Sequence, residues 1–67
     1  MDTRLLRSQI LLRNKKIPEV AQKLEISKSA LYRKLKGQTE FTRKEINEII
    51  DFLQLDEDMT IRIFFNN

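Results

Sequence analysis

The chain has 67 residues, with 13 Lys or Arg against 10 Asp or Glu and a formal net charge of +3. It has no Cys and no His, which excludes disulfides, thiolate metal sites and the side chain most often used for zinc binding and general-base catalysis. Its longest apolar runs are three residues, far short of the roughly 18 that span a bilayer, so residues 1–67 are predicted to form one small cytosolic domain.

Charge is unevenly divided along the chain. Residues 1–37 carry ten cations and three acids, a net charge of +7, whereas residues 38–67 carry three cations and seven acids, a net charge of −4. This asymmetry predicts a dipolar molecule whose N-terminal half faces a polyanion. The alternative is a solvated surface on which the charges are segregated without a binding role.

The first two helices are predicted over residues 3–14 and 17–24. Asp2 or Thr3 can cap the first, and Pro18 fits the first turn of the second, where its missing N–H costs nothing. The first helix has a broad apolar stripe that predicts packing against two neighbours: Leu5, Leu6, Ile10, Leu11 and Leu12. The predicted inner face of the second helix consists of Val20, Ala21 and Leu24.

A three-residue turn, Glu25-Ile26-Ser27, separates the second helix from a third, predicted over residues 28–36. Ser27 is a good N-cap, and Gly37 supplies a left-handed C-terminal residue. One side of this helix is apolar, through Ala30, Leu31 and Leu35. The other side is basic and polar, through Lys28, Ser29, Tyr32, Arg33 and Lys36.

The last two helices are predicted over residues 42–54 and 57–65. Phe41 anchors the preceding loop to the core, and Thr42 with Glu45 forms a capping box. The fourth helix has an apolar stripe, and acidic residues suit the N-terminus of the fifth. At the C-terminus, Ile63, Phe64 and Phe65 either close the core over the first and fourth helices or form a twofold dimer interface.

The stretches IPEVAQKLEISKSALYRKLKG and FTRKEINEIIDFL resemble the Cro-like, or lambda-repressor-like, helix-turn-helix family of phage repressors and related bacterial regulators. This resemblance implies an all-α fold, a compact bundle of five short helices in which the third lies in the DNA major groove. Two positions depart from the family pattern. Glu25 stands where Gly is usual, and Lys16 stands where a Ser or Thr cap is usual.

The resemblance also implies roles for individual residues. Lys28, Ser29 and Arg33 are placed for base edges, and their side chains can pair with groups in the major groove. The candidates for contacts with the DNA backbone are Lys16, Gln22, Tyr32, Lys36, Thr39 and Arg43. Arg13, Lys23 and Lys34 are expected to be solvated charges.

The resulting hypothesis is a DNA-binding transcription regulator, a Cro-like repressor or modulator encoded by a phage or mobile element. It binds double-stranded DNA without a cofactor or metal. If Ile63, Phe64 and Phe65 form the twofold interface and do not close the core, a weak homodimer on DNA is expected. The lack of an effector domain favours a Cro-type regulator, with an excised repressor domain as the alternative. A different class is an antirepressor that binds a repressor protein. An enzyme is not expected, because no nucleophile or metal arrangement is apparent.

Overall fold

The computed structural model describes residues 1–65, and this part of the chain forms five α-helices and no strand. The predicted all-helical class is therefore confirmed. The second helix has its predicted bounds, and the others are one or two residues shorter. None of the helices in residues 1–65 has the length and apolar character needed to cross a membrane. The helices are α1 (Thr3–Leu12), α2 (Ile17–Leu24), α3 (Lys28–Leu35), α4 (Arg43–Leu53) and α5 (Glu57–Phe64).

Four of the five helices begin with a side-chain cap. Asp2, Ser27, Thr42 and Asp56 each accept a hydrogen bond from the backbone N–H three residues later, at 2.8–3.1 Å. Such caps satisfy amides that have no partner within the helix. α2 differs, because Lys16 makes no side-chain cap. Instead, its backbone N–H donates to the Glu19 carboxylate at 2.8 Å.

Each of the first four helices is followed, one or two positions after its last residue, by a residue with positive φ. At the end of α2, Glu25 has φ 58° and its N–H donates to the Gln22 carbonyl, while the Ile26 N–H donates to the Ala21 carbonyl. This pair of bonds is the Schellman motif, in which glycine is the favoured residue. Only one of the four positions is glycine. Asparagine tolerates positive φ, whereas Glu25 and Gln54 each cost about 1 kcal/mol of backbone strain. The four residues are Asn14, Glu25, Gly37 and Gln54.

The core lies where the apolar stripes of the helices meet. α2 packs against α3 and α4, and α1 packs against α3 and α5. The N–H of Asp2 donates to the carbonyl of Ile63 at 2.7 Å, which joins the start of α1 to the end of α5. The buried apolar residues are Leu6, Ile10, Val20, Ala21, Leu24, Leu31, Leu35, Phe41, Ile49, Leu53, Leu55, Ile63 and Phe64.

The predicted stripe of α1 is wrong at its C-terminal end. Leu6 and Ile10 are buried and Leu5 is half-buried, but Leu11 and Leu12 are 76% and 75% exposed. Each residue of an α-helix turns by about 100° from the one before. Leu11 and Leu12 are therefore rotated away from the side on which Ile10 is buried, and the helix ends at Leu12 before another element can cover them.

Ile63 and Phe64, at the end of α5, close the core, as one of the two predictions stated. Ile63 and Phe64 are 0% and 8% exposed, so these two side chains are not free for the alternative, a twofold dimer interface. They are buried because α5 packs against α1 and presents these two residues to the core. Phe65, the third residue of that prediction, is 65% exposed.

Arg13 is not the solvated charge that was expected. Its guanidinium Nη1 donates to the backbone carbonyls of Leu53 and Gln54, at 3.0 and 3.2 Å. The last carbonyls of a helix lack partners within the helix and carry the negative end of its dipole. Arg13 therefore caps the C-terminus of α4 and fastens it to the end of α1. Lys23, in contrast, is exposed.

Candidate nucleic-acid interface

The five polar residues predicted on one side of the third helix share an exposed surface, which we call the α3 face. On the opposite side of the helix, Leu31 and Leu35 are buried in the core. Ser27 starts the helix by accepting a hydrogen bond from the Ala30 N–H at 3.0 Å. The α3 face is thereby fixed outward and consists of Lys28, Ser29, Tyr32, Arg33 and Lys36.

The cations of the α3 face form no ion pair with another residue among residues 1–65. In the part of the chain that the structure describes, the two ion pairs are Lys34–Glu45 and Arg62–Asp58. Lys28, Arg33 and Lys36 therefore present three positive charges to solvent. Tyr32 lies between them and is 39% exposed. This surface can donate hydrogen bonds and attract an anion.

Lys34 belongs to the same run of cations but points elsewhere. Its Nζ lies 3.1 Å from Glu45 Oε1 and donates to the Glu40 carbonyl at 2.9 Å. The Phe41 ring centre is 5.7 Å away, within reach of a cation–π interaction. The expectation of a solvated charge is wrong for Lys34. Phe41 lies in the loop after α3 and Glu45 lies in α4, so only folding brings them to Lys34.

Glu45 accepts hydrogen bonds from two elements at once. Burial alone would raise its pKa, but the backbone N–H of Thr42 and the ammonium group of Lys34 stabilise the charged form more strongly, so the pKa of Glu45 is lowered. The Thr42 N–H lies 2.8 Å from Glu45 Oε1. This carboxylate therefore links the capping box of α4 to the C-terminal half of α3.

The predicted backbone contacts outside α3 occupy different surroundings. Lys16 is exposed at the N-terminus of α2, and Thr39 is exposed in the loop after α3. Arg43 begins α4 and lines a shallow depression with Phe65. Gln22 shares a depression with the carboxylates of Glu19 and Glu25. Lys23 lines the same depression, but the two acids outnumber it and repel phosphate, so Gln22 is the weakest of these candidates.

The chemistry of the α3 face suits the edges of base pairs. Arginine offers two parallel donors that match O6 and N7 of guanine, lysine can reach the same acceptors, and serine can donate or accept. An α-helix fits into the major groove of B-form DNA. Lys28 and Ser29 lie in the first turn of α3, and Arg33 lies more than a turn further along.

No family model, curated protein or solved structure matches this chain. Inference of a function therefore depends on the charges and geometry of the α3 face and on the residues that hold α3 in place.

Proposed function

We propose that this protein is a sequence-specific DNA-binding transcription regulator, a Cro-like helix-turn-helix repressor or modulator of phage or mobile-element origin. In this proposal α3 enters the major groove of an operator. The observation that carries the proposal is the α3 face, which presents three cations and two hydroxyl-bearing side chains on a helix whose opposite side is buried. α2 and the turn at Glu25 hold that helix against the core.

The roles within the α3 face follow from position and chemistry. Lys28, Ser29 and Arg33 contact base edges, and Tyr32 and Lys36 contact phosphate or sugar. Contacts to bases determine which sequence is bound, whereas contacts to phosphate fix the register and supply most of the sequence-independent affinity. Lys16, Thr39 and Arg43 are further candidates for phosphate contacts.

The net charge of +7 on residues 1–37 supports this assignment. A protein with one strongly basic half is attracted to DNA in a preferred orientation, which raises the rate of encounter. The acidic stretch that follows Thr39 and Arg43, residues 45–61, would face away from the duplex. Charge alone does not identify a DNA-binding protein, and the location of three unpaired cations on one packed helix is what makes the proposal specific.

The second candidate is an antirepressor that binds a repressor protein instead of DNA. The observation that favours it is the stretch of residues 45–61, which contains six acids and no cation. Such a surface fits a basic partner, as the DNA-binding face of a repressor would be. This candidate uses α4 and α5 as its binding surface, so the two proposals differ in which residues respond to a partner.

A titration of isotope-labelled protein with duplex DNA, followed by amide NMR, tests the proposal. At about 50 mM salt, where electrostatic binding is strong, we expect shifts concentrated in residues 28–36. If random duplex DNA causes no shift at this salt concentration, the DNA-binding proposal is wrong. Shifts in residues 45–61 on adding a repressor would support the antirepressor.

A matched pair of variants separates a defined interface from general charge attraction. Arg33→Ala and Lys23→Ala each remove one positive charge from an exposed position, but only the first lies on the α3 face. We expect Arg33→Ala to abolish the preference for a selected operator while Lys23→Ala retains it. Equal effects of the two variants would contradict the assigned face.

A further inference from the structure

The exposed side of α1 carries the two most exposed large apolar side chains among residues 1–65, Leu11 and Leu12, at 76% and 75%. Exposed apolar side chains with a rim of charged residues are candidates for a binding surface. Next to Leu11 is a groove of about 260 Å³ between the end of α1 and the start of α2. Its lining is apolar at Ile10 and Ile17 and basic at Arg7, Lys15 and Lys16.

We call Arg7, Leu11, Leu12 and Lys16 the α1 patch. All four residues are exposed. Residues 3–18 contain five cations and no acid, so nothing in this stretch offsets the positive charge around the leucines. The surface that covers the α1 patch should therefore combine apolar side chains with carboxylates.

A surface with that chemistry is present on α5. Glu57, Ile61 and Phe65 recur every four residues and are all exposed, with Ile61 at 48% and Phe65 at 65%. Glu57 and Ile61 lie along one side of α5 at this spacing, and Phe65 is the residue that follows the helix. We call these three residues the α5 patch. Its negative charge lies at the Glu57 end, beside Asp56. Asp58 is paired with Arg62, and Arg43 lines a depression with Phe65.

The two patches do not neutralise each other within one molecule. The ion pairs among residues 1–65 are Lys34–Glu45 and Arg62–Asp58, and neither joins the basic stretch 3–18 to the acidic stretch 45–61. Within the basic stretch, Arg13 donates to backbone carbonyls at the end of α4. The ammonium group of Lys15 lies over the Phe52 ring, also in α4. Arg7, Lys16 and Glu57 remain available for a partner.

We propose that the α1 patch of one copy binds the α5 patch of a second copy. Leu11 and Leu12 pack against Ile61 and Phe65, while the cations of the α1 patch face Glu57 and its acidic neighbours. Charge complementarity is what selects a second copy as the occupant, because the same chain provides both halves of the contact. This interface is head-to-tail and replaces the predicted twofold interface, two of whose three residues are buried.

The contact should be weak and open-ended. Each patch contributes two apolar side chains, so the buried area falls below the roughly 1,200 Å² of a stable specific complex, and a Kd on the order of 0.1 to 1 mM is expected. A head-to-tail interface leaves a free patch at each end, which allows further copies to add. The contact does not depend on the proposed DNA binding and is measured without DNA.

Sedimentation equilibrium of the whole chain, up to about 1 mM protein, tests the proposal. We expect reversible association of the unmodified protein and at least a tenfold rise in Kd for two variants, Leu11→Ser/Leu12→Ser and Ile61→Ser/Phe65→Ser. A mixture of these variants should form a one-to-one complex and nothing larger, since one variant retains the α5 patch and the other retains the α1 patch. Monomeric behaviour of the unmodified protein at about 1 mM overturns the proposal. So does a mixture of the two variants that remains monomeric.

Charge reversal provides a control that leaves the apolar residues intact. Arg7→Glu should raise the Kd at least tenfold, and mixing it with Glu57→Arg should restore association. Because both positions are exposed, circular dichroism should show unchanged helix content in each variant. If Arg7→Glu associates as strongly as the unmodified protein, the electrostatic match is wrong and the proposal falls with it.

Discussion

The ammonium group of Lys34 lies 3.1 Å from the carboxylate of Glu45, and this pair ties α3 to the first turn of α4. The two side chains are only 13% and 12% exposed. Glu45 also accepts a hydrogen bond from the N–H of Thr42, the N-cap residue of α4. The orientation of α3, and with it the direction of the α3 face, is therefore coupled to the cap of a neighbouring helix.

The first prediction concerns the stability that this pair contributes. Lys34→Met keeps most of the packing but removes the charged hydrogen bonds, and should lower the free energy of unfolding by about 1 to 2 kcal/mol. Urea unfolding followed by circular dichroism measures the change. Lys23→Met, at an exposed position, is the control and should stay within about 0.5 kcal/mol. Equal losses in the two variants would mean that the pair contributes nothing beyond an ordinary surface charge.

The second prediction is a pH dependence that originates at Glu45. Burial would raise its pKa, but hydrogen bonds and Lys34 together lower it below its ordinary value of 4.5. The native state therefore binds fewer protons at this group than the unfolded state. The stability from Glu45 is fully present above its ordinary value and is lost as the pH falls through the lowered pKa of the folded state.

Comparing Glu45→Gln with the unmodified protein checks this sign. The difference in unfolding free energy between the two proteins should be largest near neutral pH and shrink as the pH falls below 4.5. Urea unfolding at a series of pH values measures it. A difference that grows on acidification would contradict the lowered pKa.

The third prediction concerns three of the four residues with positive φ that follow helices, Glu25, Gly37 and Gln54. Glu25→Gly and Gln54→Gly should each raise the free energy of unfolding by about 0.5 to 1 kcal/mol, because glycine adopts positive φ without a Cβ clash. The reverse change, Gly37→Ala, should lower stability by about 1 kcal/mol. A Cβ at Gly37 would meet no atom within 4 Å, so that loss would come from backbone conformation alone. Thermal unfolding of the three variants measures these effects, and destabilisation by Glu25→Gly would contradict the assigned strain.

The fourth prediction separates the roles of two cations on the α3 face. Arg33→Ala should weaken binding to a selected operator by about 1 to 3 kcal/mol and binding to random DNA much less. Lys36→Ala should weaken both by similar amounts, because phosphate contacts carry no sequence information. Fluorescence anisotropy with the two duplexes measures both affinities. The opposite pattern in the two variants would reverse the assignments.

The fifth prediction is the salt dependence of DNA binding. If about four to six phosphates are contacted per protein molecule, log K should fall against log salt with a slope of roughly −4 to −5. The Lys36→Ala variant should have a slope smaller in magnitude by about 1. Affinities measured between about 50 and 200 mM salt give the slopes. An affinity that does not change with salt would be incompatible with phosphate contacts.

Much of the fold follows from local patterns in the sequence. Capping residues such as Ser27 and Thr42 mark helix starts because they act on amides within three residues of themselves. The burial of Leu31 and Leu35 could likewise be predicted from their helical spacing, because both residues lie within α3. All five helices were predictable on these grounds, with bounds correct to within two residues.

The features that sequence patterns could not supply depend on contacts between distant segments. Arg13 caps a helix whose last residues lie forty positions further along, and nothing near Arg13 indicates that partner. The exposure of Leu11 and Leu12 follows from where the neighbouring helices stop, which an apolar stripe does not encode. Helical spacing predicted the residues of the α3 face. It did not predict that Lys34 pairs with Glu45 and anchors α3 to α4.

The 2.7 Å hydrogen bond from the Asp2 N–H to the Ile63 carbonyl has a consequence for engineering. It places Asp2 beside Ile63, so a short flexible linker could join the segments around these two residues and close the described fold into a circular backbone. New ends opened between α1 and α2, near Asn14, would leave α2, the turn and α3 as one uninterrupted segment. Such a permuted protein would keep the α3 face and the Lys34–Glu45 pair. Its first helix to be synthesised would be α2 instead of α1.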